Sequence, residues 1–142
     1  MAGLSFPDAN VWLALLLADH VHRRAAVSWW NRDQSDNIAF SRVTQLTILR
    51  LLTTAHVMNG KPLSMRSAWA AYDELFEDAR VSWCAEPAHM EEKFRKLTSG
   101  RIASPKLWAD AYLLAMADAL DATLVTFDQA LAKHSERCLL LS

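Results

Sequence analysis

Three aspartates stand at positions where a folded chain could gather them: Asp8 in FPDAN, Asp110 in WADAYLLA and Asp128 in LVTFD. Carboxylates brought close together repel one another, and an unpaired buried charge costs several kcal/mol after relaxation. A hard divalent cation among them removes that cost. Oxygen-only ligands suit Mg²⁺ or Mn²⁺, which keep several waters and take one or two protein carboxylates. An ion so held can acidify water and stabilise charge on a phosphate. The chemistry that fits is hydrolysis of a phosphodiester. A single Asp after a strand has a simpler reading as a helix N-cap, and Asp128 is open to it.

What would bring these residues together is an alternation of strands and helices. A short apolar strand over 4–6 runs into Pro7-Asp8, and helices follow over about 9–18 and 22–33. A buried strand at 37–40 precedes Ser41, which can cap a helix over 42–56 whose Val43, Leu46, Leu49, Leu51 and Leu52 follow helical spacing. Gly60-Lys61-Pro62 breaks the chain, and Ser64 caps a helix to about Asp78. A strand is expected at 80–84, then a helix from Glu86-Pro87 to near Gly100. Ser104 as N-cap and Pro105 as first residue predict a helix to Leu120, with Asp110 in its second turn. Asp121 occupies a turn where glycine is usual and which Asp tolerates. A strand at 122–126, a short helix opened by Asp128 and a strand at 138–141 complete the chain.

About five short strands separated by helices imply an α/β fold, a three-layer domain with a parallel sheet and helices on both faces. In such a sheet the C-terminal strand ends share one edge with the N-termini of the following helices, and ligands bind along it. Asp8, Asp110 and Asp128 all belong to that edge. Residues 1–142 read as a single domain, without repeat, low-complexity tract or linker.

Composition narrows the field. A formal net charge of −1 argues against a polybasic nucleic-acid binder and leaves room for an enzyme with a local basic rim. The three glycines, Gly3, Gly60 and Gly100, are isolated, which excludes a P-loop and a GxGxxG turn. Cys84 and Cys138 lie in apolar segments and read as buried reduced thiols. The N-terminus lacks the basic region of a secretory signal, and the longest apolar stretch, 11–18, is too short to span a bilayer, so the cytoplasm is the expected location.

FPDANVWLALLLADHVH, SRVTQLTILRLLT and LWADAYLLAMADALDATLVTFD, in this order and spacing, resemble the PIN-domain ribonucleases, and among them the VapC-type toxins of toxin–antitoxin pairs. The resemblance covers nearly the whole chain. It implies a metal-dependent endoribonuclease in which Asp8, Asp110 and Asp128 hold Mg²⁺ or Mn²⁺, supported by Asn10 and Thr126. It further implies RNA as substrate, a cognate antitoxin as partner, and a homodimer. His22 matches a histidine often found in this branch. One position departs from the pattern: many members carry a glutamate in the middle motif, where this chain has Gln45. An amide can touch a phosphate but supplies no charge, so a single metal dominated by the three aspartates is expected, with Gln45 in a catalytic supporting role.

Arg42, Arg50, Lys106 and Trp108 are candidates for RNA contact, the arginines because their planar donor fork suits phosphate; Arg101 is a weaker one. His22 is expected to make a structural hydrogen bond, and Asp118 and Asp121 to lie on the surface. Trp29, Trp30, Trp69 and Trp83 read as core or interface. Two other functions compete. A non-catalytic PIN-like binding module is motivated by Gln45. A haloacid-dehalogenase-like phosphatase would require D-x-D where this chain has Asp8-Ala9-Asn10.

Overall fold

A computed structural model describes residues 3–142. Five strands, β1 (Leu4–Pro7), β2 (Asn37–Phe40), β3 (Val81–Trp83), β4 (Thr123–Thr126) and β5 (Cys138–Leu140), form one sheet in the order β3-β2-β1-β4-β5. Every pairing is parallel. The helices are α1 (Ala9–Leu16), α2 (Arg23–Arg32), α3 (Arg42–Leu52), α4 (Met65–Leu75), α5 (Met90–Leu97), α6 (Leu107–Leu120) and α7 (Gln129–Ala132). Among the described residues, no helix is long and apolar enough to cross a membrane.

The strands are short, but β1, β2 and β4 each end in three buried residues. Successive strand side chains point to opposite faces. Ile38, Phe40 and Val125 therefore join one core with Trp12, Trp29, Ile48 and Tyr72 from α1–α4. Phe6, Ala39 and Leu124 join the other, with Met90, Leu114, Met116 and Leu131 from α5–α7. The order explains this division. The chain runs outward from β1 to β2 to β3 with its helices on one face, then returns across the sheet to β4 and β5 with helices on the other. Its direction reverses between β1 and β4. Such a switch point opens a crevice outside the carboxyl ends of the two strands.

Several helix ends differ from the sequence expectation. α3 stops at Leu52 rather than 56, and the chain turns through Asn59 and Gly60, both at positive φ. α4 ends at Leu75. α5 begins at Met90, because Pro87 forms a turn whose carbonyl accepts from Met90 N–H at 3.2 Å. The Ser104 carbonyl likewise accepts from Leu107 N–H at 3.0 Å, so Ser104-Pro105 form a turn ahead of α6 and Asp110 falls in the first helical turn, not the second. Asp121 adopts the left-handed conformation (φ 53°) that ends α6, as expected.

Candidate active site

Asp8 caps α1. Its Oδ1 accepts from the N–H groups of Asn10 at 3.1 Å and Val11 at 3.3 Å, and its backbone N–H donates to the Val125 carbonyl at 3.0 Å. Its Oδ2 accepts from the hydroxyl of Thr126, the last residue of β4. Thr126 Oγ1 in turn accepts from Asp128 N–H at 3.0 Å. One fully buried hydroxyl thus ties the end of β1 to the turn after β4, across the switch point. Asp128 caps α7, accepting from Ala130 N–H at 2.9 Å and Leu131 N–H at 3.2 Å. The cap reading and the site reading of this residue are therefore both realised.

Asp8, Asn10, Asp110 and Asp128 line one pocket of about 310 Å³, together with Thr44, Thr47 and Arg50 of α3. None of the three aspartates takes part in an ion pair among the described residues. Burial pushes the Asp8 carboxyl above its ordinary pKa. The Thr126 hydroxyl and the N–H groups of Val11 and Asn10 pull it back, and Asp128 pushes it further up. The Asp110 carboxyl is raised by burial and then by Asp128, against a smaller opposing effect of His134. Asp128 is thus the negative neighbour felt by both of the others.

The donor chemistry fits a hard cation: carboxylate, amide and hydroxyl oxygens, a surplus of negative charge, and one arginine. Among the described residues, no three His, Cys, Asp or Glu side chains are drawn together tightly enough to close on an ion by themselves. Mg²⁺ does not require such closure, since it retains waters and binds through one or two carboxylates.

The sequence profile of the PIN domain family matches residues 5–136. The chain belongs to the PIN domain family. Ribonuclease VapC41 of Mycobacterium tuberculosis is 39% identical over 132 residues, covering 89% of this chain and 90% of the relative. Among solved structures, M. tuberculosis VapC20, described as a sarcin-ricin loop cleaving toxin, superposes with a TM-score of 0.66 at 17% identity over 94% of this chain and 95% of that one. VapBC2 from Rickettsia felis, bound to a DNA fragment from their promoter, gives a TM-score of 0.64 at 14% identity over 98% and 99%. The three-layer α/β architecture is that of these VapC structures. This PIN domain is of the VapC type.

Several expected site residues lie elsewhere in the PIN domain. Gln45 does not line the pocket. On a helix it stands about 200° round from Val43, which does line it together with Thr47 and Arg50. Gln45 is instead buried, beside Tyr72 of α4, and its Oε1 accepts from Arg42 Nη1 at 2.5 Å. It stands between α3 and α4 and does not line the acidic pocket. Arg42 is also outside, stacked 4.6 Å over the Trp83 ring. Trp108, two residues and about 200° from Asp110, turns towards α5, where it meets the Phe94 ring edge-on at 6.2 Å. Lys106 sits at the N-cap of α6 and does not reach the pocket. Of the four residues expected at RNA, Arg50 alone lines it.

His22 makes a different contact from the hydrogen bond expected of it: its ring stacks on Phe127 at 4.4 Å and 19°. Cys84 and Cys138 are free thiols, half-buried rather than buried. Trp29 is core, while Trp69 and Trp83 are each a little under half exposed. Asp118 pairs with Lys93 and Arg137 on the surface, as expected. Thr44, Thr47 and His134 are the neighbours of the aspartates that sequence reasoning missed. The signal for the two threonines was present, since 43, 44, 47, 50 and 51 form one helical stripe; His134, beyond a four-residue helix, had none.

Proposed function

We propose that this PIN domain is a divalent-metal-dependent endoribonuclease, the toxin component of a toxin–antitoxin pair acting in the cytoplasm as one domain. The observation that carries the reading is the single pocket at the switch point lined by Asp8, Asp110 and Asp128, without a neutralising ion pair. The 39% identity to a named ribonuclease over most of the chain supports it.

In this reading Asp8, Asp110 and Asp128 hold Mg²⁺ or Mn²⁺. When bound, such an ion supplies stabilisation of phosphate charge and a more acidic water. The residues around it set the geometry. Two N–H groups and the Thr126 hydroxyl fix the Asp8 carboxylate before any ligand arrives. Asn10 offers a second polar side chain in the same pocket, and Arg50 lines it from α3, where its donor fork can take a phosphate oxygen. Asp8 and Asp110 lose their protons more readily once an ion is present, because positive charge reverses the effect that raises them. The partners proposed are an RNA substrate, a cognate antitoxin and a second copy of the chain. The rival reading as a non-catalytic module drew its force from Gln45, and that residue lies outside the pocket.

The test is digestion of single-stranded RNA by wild-type protein and Asp8→Asn, with Mg²⁺, with Mn²⁺ and with excess EDTA. Cleavage is expected only for wild type with metal. Full activity in EDTA, or undiminished activity of the variant, overturns the proposal.

A further inference from the structure

A second cavity, of about 400 Å³, opens on the outer face of α2 and is floored by Leu141 next to the end of β5. Its polar lining is His22, Arg24, Ser28, Arg32 and Ser142, and no Asp or Glu side chain lines it. Positions 24, 28 and 32 follow one another at single helical turns, so the two guanidinium groups stand on the same exposed stripe while Ala26 and Trp29 face the core. The stripe spans about 12 Å from position 24 to 32. Arg32 Nη1 donates to Ser28 Oγ at 2.9 Å, and neither Arg24 nor Arg32 forms an ion pair among the described residues. The adjacent Arg23 differs: it is tied to the C-terminus of α1 through the Leu15 carbonyl at 2.7 Å.

This cavity is connected to the acidic pocket through the end of β4. Leu141 N–H donates to the Thr126 carbonyl at 2.8 Å, and the Thr126 hydroxyl donates to Asp8. The next residue, Phe127, carries the stacked His22 ring and is followed directly by Asp128. From the acids, a flat aromatic step of His22 on Phe127 leads to two unpaired arginines. A polyanion whose scissile phosphate sat at the acids could continue over that step and set its next phosphates on the stripe.

We infer that His22, Arg24, Ser28 and Arg32 form a landing strip for the RNA backbone flanking the cleavage site, with Arg24 and Arg32 contacting phosphates. The inference rests on the nuclease reading above and extends it to the path of the strand. Phosphate contacts of this kind carry no base preference; they supply affinity and make it depend on salt.

The test is fluorescence anisotropy of a labelled single-stranded RNA with Asp8→Asn, expected to fold and not to cut, alone and combined with Arg24→Glu/Arg32→Glu. Arg24→Ala/Arg32→Ala guards against an effect of the introduced negative charge. Arg66→Glu, on the exposed side of α4, matches the net-charge change of the alanine pair. Both double variants are expected to weaken binding roughly tenfold or more, the scale of two charge-assisted hydrogen bonds. They should also flatten the dependence of log affinity on log salt by about 1.4, the loss of two phosphate contacts on a single strand. Arg66→Glu should stay within about twofold of the parent, as an uninvolved surface charge does. Affinity and salt slope equal to those of Arg66→Glu overturn the landing strip, as does loss of binding to a protein partner with RNA affinity unchanged. Absence of cleavage by wild type with every divalent ion is a separate result that strikes the nuclease reading itself.

Discussion

Replacing Asp8 by asparagine removes a buried charge and leaves nearly every heavy atom in place. The amide oxygen can keep the cap on Asn10 and Val11, but the amide nitrogen, a donor, replaces the oxygen that accepts from Thr126. That mismatch costs about 1 kcal/mol, the net worth of one hydrogen bond. Against it stands release of a carboxylate that is only 8% exposed and whose ionisation is opposed first by burial and also by Asp128. Every tenfold displacement of its ionisation constant corresponds to about 1.4 kcal/mol. A net gain for the variant at neutral pH requires the release to exceed that mismatch. In EDTA at pH 7, Asp8→Asn should melt above wild type. With Mg²⁺ the order reverses, because an ion at a hundred times its dissociation constant adds about 2.7 kcal/mol to the protein that binds it. Thermal denaturation of both proteins, in EDTA and in Mg²⁺, reads both differences. A variant that melts several degrees below wild type in EDTA, or that gains as much from Mg²⁺, refutes the view of Asp8 as a strained charge awaiting a cation.

Other changes separate site from scaffold. Asp110→Ala removes a half-buried carboxylate that has no ion pair among the described residues and should not lower stability in EDTA, yet should lower RNA cleavage on the order of 100-fold or more; calorimetry and a gel assay on one preparation check both. Gln45→Ala should do the reverse. It strips a buried acceptor from Arg42 at a cost of about 1–3 kcal/mol, with cleavage per folded molecule nearly unchanged. The pH dependence has a definite sign. Asp8 and Asp110 are raised above 3.8, so the folded state holds protons that the unfolded state has released, and their contribution to apo stability falls as pH rises through that window. Asp78 and Asp118, lowered chiefly by hydrogen bonds from Arg80 and Lys93, act oppositely, contributing stability that is lost as pH falls. The Tm advantage of Asp8→Asn in EDTA isolates the first effect; it should widen as pH rises above 3.8 and then level off, and a flat difference contradicts the assignment.

The strands and the helices between them were legible because each is announced locally. Ile38-Ala39-Phe40 and Leu124-Val125 alternate between the two cores, and Ser41 and Ser64 make the cap bonds their positions predict. Asp8 and Asp128 were legible for the same reason: a strand end followed by an N-cap fixes where a carboxylate stands, whatever the distance along the chain. Residues inside helices were harder. A shift of one position rotates a side chain by about 100°, enough to send Gln45 to Tyr72 and Trp108 to Phe94 instead of the pocket. The starts of α5 and α6 were missed because Pro87 and Ser104 open turns rather than helices, a choice made by tertiary packing. The stacking of His22 on Phe127 joins residues from opposite ends of the chain and left no local trace.

The central claim is that the carboxylates at the β1–β4 switch point hold a divalent ion. Electron paramagnetic resonance of Mn²⁺ titrated into wild type and Asp110→Ala tests it without reference to turnover. The account predicts one ion bound per wild-type chain, displaced by Mg²⁺, with binding lost or severely weakened in the variant. A free-Mn²⁺ signal undiminished by wild-type protein, or equal binding by both proteins, contradicts it.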